Sequence, residues 1–323
     1  MREMGARSAV IAVLVAVAAL WWPVSAVQAD GPRPAYDPPP PTTYDPHPAY
    51  DPPPSYDISW PQCPATFPSG EFTLAVIGLN NGRPFTTNDC FRSQYRWAQT
   101  AQQHPDVYVN VDFPRANARQ AATGPYGQCE AGDDWCRGYN YGYATARDSL
   151  RRATALGASP GRYWLDVEVD NYWSSSTRNN AQVVRGALDY FLDFNIPVGV
   201  YATRYQWGLI TGGFMPSATL PLWVAGATDR ASAEARCHDA SSRFAGGNTW
   251  MVQYPEGEFN GNALCAPAQN ALAAALPPHL RLAVPPVERV PLPVAESRAS
   301  APASKSLFAT PLLLLEIARL LPD

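Results

Sequence analysis

One lysine, Lys305, stands among 323 residues, and histidine is nearly as scarce, with four. Charged residues make up 16% of the chain, and the formal net charge is −4. Nucleic acids and anionic membrane surfaces are held by dense Lys and Arg, so neither is an expected partner. In the central part of the chain only His104 and His238 occur, and no His-Glu-x-x-His or other metal spacing surrounds them. Gly-x-Gly-x-x-Gly and phosphate-binding loops are missing, as is Cys-x-x-Cys. Their absence argues against dinucleotide, nucleotide and dithiol chemistry. No metal and no cofactor is expected. No apolar run reaches the roughly 20 residues a membrane helix needs, so no stable span is expected.

What is present is apolar and aromatic: 46% hydrophobic residues, 10 Trp, 16 Tyr, 34 Pro and 6 Cys. Residues 1–29 read as a secretory signal peptide: Arg2 and Arg7, then the unbroken apolar run Ala9–Trp22, Pro23, and small residues at Val27-Gln28-Ala29. A secreted, extracellular protein, cell-wall associated at most and monomeric, is expected. An even cysteine count in an exported chain favours disulfides. Pairing of neighbours gives Cys63–Cys90, Cys129–Cys136 and Cys237–Cys265, one of 15 possible connectivities. Residues 30–55 form a Pro-rich, extended linker with recurring Tyr-Asp. Residues 277–323 form a Pro/Ala-rich disordered tail with a short apolar end, Leu312–Leu321. Residues 56–276 have ordinary globular composition and the length of one barrel-sized domain.

Within that domain, strand-like and helix-like stretches alternate. Strands are expected at Tyr56–Trp60, Thr73–Leu79, Asp106–Phe113, Arg162–Val169, Pro197–Thr203, Leu220–Ala225 and Thr249–Tyr254. Helices are expected over Asn88–Gln103, Asp133–Gly157 and Thr177–Asn195, the last with Val183, Val184, Leu188, Phe191 and Leu192 on one buried face. Apolar strands alternating with helices imply a parallel sheet covered by helices. The α/β fold expected is a TIM-like barrel, with a doubly wound open sheet as the alternative.

Asp166 and Glu168 stand two apart in an otherwise apolar strand, so period-two geometry puts both on one face, opposite the aliphatic residues. In a barrel the aliphatic face meets the helices, and the acids point inward near the carboxyl-terminal mouth. An arginine such as Arg204 would be the structural partner for them. Asp57 on the first strand and Asp112 at the end of the third complete four acids expected in one pocket. Crowded carboxylates push their pKa values apart, which supplies the proton donor and the negative group that glycoside cleavage needs. Trp60, Trp164, Tyr201, Trp223 and Tyr254 at strand ends suit stacking on sugar faces, or ordinary core packing.

These residues resemble the Chalaropsis-type lysozymes, glycoside hydrolase family 25, and more closely their secreted actinobacterial relatives. The resemblance is carried by Tyr56–Cys63 (YDISWPQC), Asp166-Val167-Glu168, Val198–Tyr201 (VGVY), Leu222–Ala225 (LWVA) and Trp250–Tyr254 (WMVQY), in order over residues 56–265. It implies an irregular barrel of about five β/α units followed by antiparallel strands, and muramidase activity on peptidoglycan or a related N-acetylated glycan. It makes Glu168 the proton donor and Asp166 the stabiliser of transition-state charge or of the acetamido group. Asp57 completes the acidic set. With Gln253 from the Gln-Tyr element, the expected substrate-binding residues are Asp112, Trp60, Tyr201, Trp223, Gln253 and Tyr254. The chain departs from the family pattern twice. The third strand, Tyr108–Asp112, lacks the usual Tyr-His. After the Gln-Tyr strand it reads Glu256-Gly257-Glu258-Phe259-Asn260-Gly261-Asn262, with Asn where an Asp is usual, so Glu256 or Glu258 becomes the substitute. Two alternatives follow: a non-catalytic glycan- or wall-binding protein on the same barrel, and a surface interaction protein working through its linker and tail.

Overall fold

The computed structural model describes residues 53–275. The segments read as signal peptide, most of the linker, and the tail from 277 lie outside those residues. In chain order the elements are β1 (Tyr56–Ile58), β2 (Ala75–Gly78), α1 (Phe91–Ala98), β3 (Asp106–Asn110), a small hairpin of β4 (Thr123–Gly124) and β5 (Gly127–Gln128), α2 (Asp134–Ala155), β6 (Tyr163–Asp166), α3 (Thr177–Asp193), β7 (Val198–Ala202), α4 (Arg204–Thr211), β8 (Pro221–Val224), α5 (Arg230–His238), β9 (Asn248–Glu256), β10 (Phe259–Leu264) and α6 (Ala266–Ala275). Eight strands close a barrel in the order β1-β10-β9-β8-β7-β6-β3-β2. Seven run parallel, and β10 runs antiparallel to both neighbours, β9 and β1. The open doubly wound sheet is thereby excluded. Five β/α units, from β2-α1 to β8-α5, precede the β9–β10 hairpin.

Period two sorts the strand side chains into two layers. On β6, Tyr163 and Leu165, with Val167 just beyond, join the outer core with Val184, Leu188 and Phe191 of α3. Trp164 of the same strand points inward and fills the barrel with Val76, Trp223 and Met251. Leu192 departs from its expected place on the buried face of α3 and is exposed. It sits about 100° round the helix from Phe191, past the edge of the apolar stripe. Ser176 starts α3, its hydroxyl accepting from the Asn179 N–H at 3.3 Å. Asp133 does the same for α2, accepting from Cys136 N–H at 3.0 Å. Helix α1 is shorter than expected because the Asn88 side chain accepts from Cys90 N–H at 3.0 Å, turning the chain before the helix begins. Disulfides Cys63–Cys90, Cys129–Cys136 and Cys237–Cys265 tie the loop after β1 to α1, the hairpin to α2, and α5 to the end of β10.

At the amino-terminal end of the barrel, Trp164 Nε1 donates to Asp106 Oδ2 at 2.9 Å, while the Arg162 guanidinium lies over the Trp250 ring at 4.4 Å. Burial pushes Asp106 up to about 6, against the pull of Arg162. A carboxyl with a raised folded-state pKa contributes most when both states are protonated, below about pH 4. That contribution is lost as pH rises toward 6. Asp106→Asn keeps an acceptor for Trp164 and removes the buried charge. It is expected to raise stability at pH 7 by about 1–3 kcal/mol and to leave pH 4 stability unchanged, as read by urea unfolding at the two pH values.

Candidate active site

Asp166 ends β6 and Glu168 follows two residues on, so both leave the strand on its inward side at the carboxyl-terminal mouth. Asp166 is 4% exposed. Its Oδ2 accepts from Asn110 Nδ2 on the neighbouring strand β3. Burial, reinforced by the Glu168 and Asp57 carboxylates, holds Asp166 well above the usual carboxylate range. Glu168 is half-buried and also raised, first by burial and then by the Asp170 charge, with the neighbouring Asp166 and Tyr201 side chains pulling the other way. Two acids this close share one proton over a range of pH, and the titration belongs to the pair. The candidate counter-ion, Arg204, faces elsewhere and donates to the Ser241 carbonyl at 3.0 Å.

Asp57 of β1 is buried too, but its partners differ. Gln253 Nε2 donates to its two oxygens at 3.1 and 3.0 Å, Asn260 Nδ2 to Oδ1 at 3.1 Å, and Asn262 Nδ2 to Oδ2 at 2.9 Å. Burial pushes Asp57 up to about 6, while the three amides oppose that shift and the Glu168 charge adds to it. Neutral amides stabilise the ionised carboxylate without a cation. Donors behind them set which way the amides face. Trp223 Nε1 donates to Asn262 Oδ1 at 2.7 Å, and the Tyr201 hydroxyl donates to Gln253 Oε1 at 2.8 Å. Asn262 and Gln253 are each left with the NH₂ turned toward Asp57.

The expected substrate-binding residues fall into three groups. Trp60, 46% exposed beside Gly82, stands at the rim where a ligand could stack on it. Tyr201 and Gln253 line the acidic set as positioning groups. Trp223, at 2% exposed, offers no face to a sugar; it fills the barrel and orients Asn262. Trp164 is likewise enclosed. Tyr254 belongs to the outer core, beside Gly261, because Gln253 already points inward and adjacent strand residues take opposite faces. Glu256 and Glu258 are exposed at the β9–β10 turn, and the usual position of the late Asp is taken over by the amides Asn260 and Asn262. Asp112 is separate from the other three acids: Tyr141, Arg115 and Arg83 surround it, and burial pushes it up to about 6.

Asn110, Asn260 and Asn262 receive no site role from the sequence because amides carry no charge and β10 (FNGNAL) has weak strand propensity. The signal was available: Asn260 and Asn262 stand two apart, as Asp166 and Glu168 do. Asn262→Asp would replace a donor to Asp57 by a second acid of the same shape. It is expected to raise the pKa of Asp57 and to move the acid limb of a pH–activity profile to higher pH, measured as kcat/KM against pH.

The closed β/α barrel thus carries a buried carboxyl pair and a third acid at its mouth. Residues 136–251 match the family model described as Lysozyme-like protein 1. Among curated relatives from Dictyostelium discoideum, "Probable GH family 25 lysozyme 2" is 29% identical over 136 residues, covering 41% of this chain and 51% of that protein. "Probable GH family 25 lysozyme 4" is 31% identical over 108 residues, covering 33% and 48%. The chain thus spans about half the length of these two relatives. Among solved structures, a bacterial lysozyme from Streptomyces coelicolor is 18% identical, covering 70% of this chain and 98% of that one, with TM-score 0.44. A family GH25 lysozyme from Aspergillus fumigatus is 16% identical, covering 69% and 98%, also with TM-score 0.44. Over these segments the chain is similar to glycoside hydrolase family 25 lysozymes.

Proposed function

We propose that the protein is a secreted muramidase-like glycoside hydrolase that cleaves peptidoglycan or a related N-acetylated glycan. The observation that carries the reading is the unequal surroundings of the acids: Asp166 and Glu168 stand together with both carboxyls raised, while three amides donate four hydrogen bonds to Asp57. Glu168, the member of the pair open to the mouth, protonates the bridging glycosidic oxygen as the bond from the sugar carbon breaks. Asp57 supplies the negative charge that steadies the oxocarbenium-like centre, and Asp166 holds and returns the pair's proton. Water then adds to the sugar carbon as the Glu168 carboxylate takes its proton, restoring the acid. This exchanges the parts first expected of Asp57 and Asp166, because Asp166 has one amide donor and two acidic neighbours whereas Asp57 has four amide hydrogen bonds.

Support comes also from the three disulfides, which fit an extracellular protein. Among the described residues no helix is long and apolar enough to cross a membrane. Export through the leader read over residues 1–29 and action as a monomer at the cell wall belong to the same proposal. The test is release of soluble fragments from purified peptidoglycan. The acid limb of kcat/KM is expected near pH 6, where Asp57 loses its charge; a rate flat from pH 4 to 7 would contradict the role given to Asp57.

A further inference from the structure

Beside the acidic set, the loops after β2, β3 and β6 enclose a cavity of about 330 Å³. Asp112 is its most buried wall, 6% exposed, and Asp112 Oδ1 accepts no hydrogen bond from the described residues. The Tyr141 hydroxyl serves the same carboxyl, and Arg115 and Arg83 favour its ionised form. Arg83 and Arg115 form the exposed rim, and among the described residues neither guanidinium donates a hydrogen bond or closes an ion pair. Arg115 is nonetheless held in place. It lies 4.0 Å over the Tyr172 ring, and Arg137 Nη2 donates to the carbonyls of Arg115 and Ala116 at 3.0 Å each. The Phe113 N–H donates to the Tyr172 carbonyl at 2.7 Å, joining the two loops. Holding the side chain beforehand lowers the ordering cost of binding.

The unmet bonding capacity describes a ligand. A guanidinium only donates and an ionised carboxylate only accepts. The cavity therefore calls for carboxylate or carbonyl oxygens at the rim and an N–H or O–H inside. A neutral glycan offers donors for Asp112 but no charge to match two arginines. A short peptide with free carboxylates has both. We propose that this cavity binds the acidic peptide stem carried by the wall glycan, with Arg83 and Arg115 on a carboxylate and Asp112 on an N–H, so that the enzyme engages peptide-bearing strands. The inference rests on the glycan reading for the source of the peptide. Asp170 links the two sites physically, since it lines the cavity and its charge acts on Glu168.

The test is calorimetric titration of the full chain with the soluble peptide that an amidase releases from purified wall. A peptide-free chitooligosaccharide serves as comparison and inorganic phosphate as competitor. The double variant Arg83→Ala/Arg115→Ala is expected to weaken peptide binding at least about tenfold, because charge-assisted bonds are lost. Arg115→Lys is expected to recover only part of that loss, since a lysine cannot present the planar fork. Both arginines are exposed, so the variants are expected to fold, which circular dichroism checks. Peptide that fails to bind, that binds the double variant as well as the wild type, or that phosphate displaces at equal concentration overturns the inference. Binding is read without cleavage. Loss of this result therefore leaves the hydrolase reading standing, and an inert enzyme that still binds peptide removes that reading alone.

Discussion

Replacing Glu168 with glutamine is expected to lower peptidoglycan lysis by about 10²- to 10⁴-fold, the range contributed by one positioned proton donor. The amide keeps the shape of the carboxyl but cannot surrender a proton to the glycosidic oxygen. The substitution also removes one source of the upward pressure on Asp166, whose raised pKa depends in part on the neighbouring Glu168 charge. The thermal midpoint is therefore expected to hold or rise, which separates lost chemistry from lost folding. The assay is fragment release from purified wall, with wild type and variant at matched concentration. Wild-type protein inert on that substrate would sink the hydrolase reading. A variant as active as the wild type would move the proton donor away from Glu168.

The second large effect concerns stability. Gly142→Ala is expected to cost about 3 kcal/mol or more, at or above the upper end for overpacking of a well-filled core. A Cβ at Gly142 would lie 1.9 Å from the Val183 carbonyl oxygen and 2.7 Å from its carbon, both backbone atoms of α3. In the reverse direction, a Cβ at Gly186 would lie 2.1 Å from the Tyr139 carbonyl oxygen of α2. The two helices touch backbone to backbone, so a methyl group cannot be accommodated by turning a side chain. The helices must part, and the packing of Val183 and Ala146, both buried at that seam, goes with them. Gly208→Ala on α4 is the control: nothing lies within 4 Å of its added Cβ, and helix propensity favours alanine by up to about 1 kcal/mol. Urea midpoints for the two variants should move in opposite directions. Equal midpoints would contradict a seam this close.

Strand β6 shows why part of the site was legible beforehand. Its alternation of Leu165 and Val167 with Asp166 and Glu168 is a local pattern, and a pleated strand turns that pattern directly into two faces. The same rule, applied across β9, shows why Gln253 and Tyr254 could not both reach the mouth. Trp223 misled for a different reason. Its strand faces inward as expected, but depth along the barrel axis decides whether a ring meets ligand or core, and neighbouring residues in sequence say nothing about depth. Asp112 sits at the end of a barrel strand as expected. The arginines of its own loop and of the loop after β2 then draw it into a second cavity.

Hydrophobic period, turn residues and cysteine spacing are local quantities, and from them the chain by itself determined seven of the eight barrel strands, the helices α1 to α3, the barrel class and the inward-facing acid pair. Only tertiary structure decided which carboxyl is surrounded by amide donors. That depends on amides in β9 and β10 reaching Asp57 across a sequence separation of about two hundred residues, and on Tyr201 and Trp223 turning Gln253 and Asn262 to face it. Ionisation answers to burial and to every donor within a few ångströms, and only the closed barrel brings those donors together.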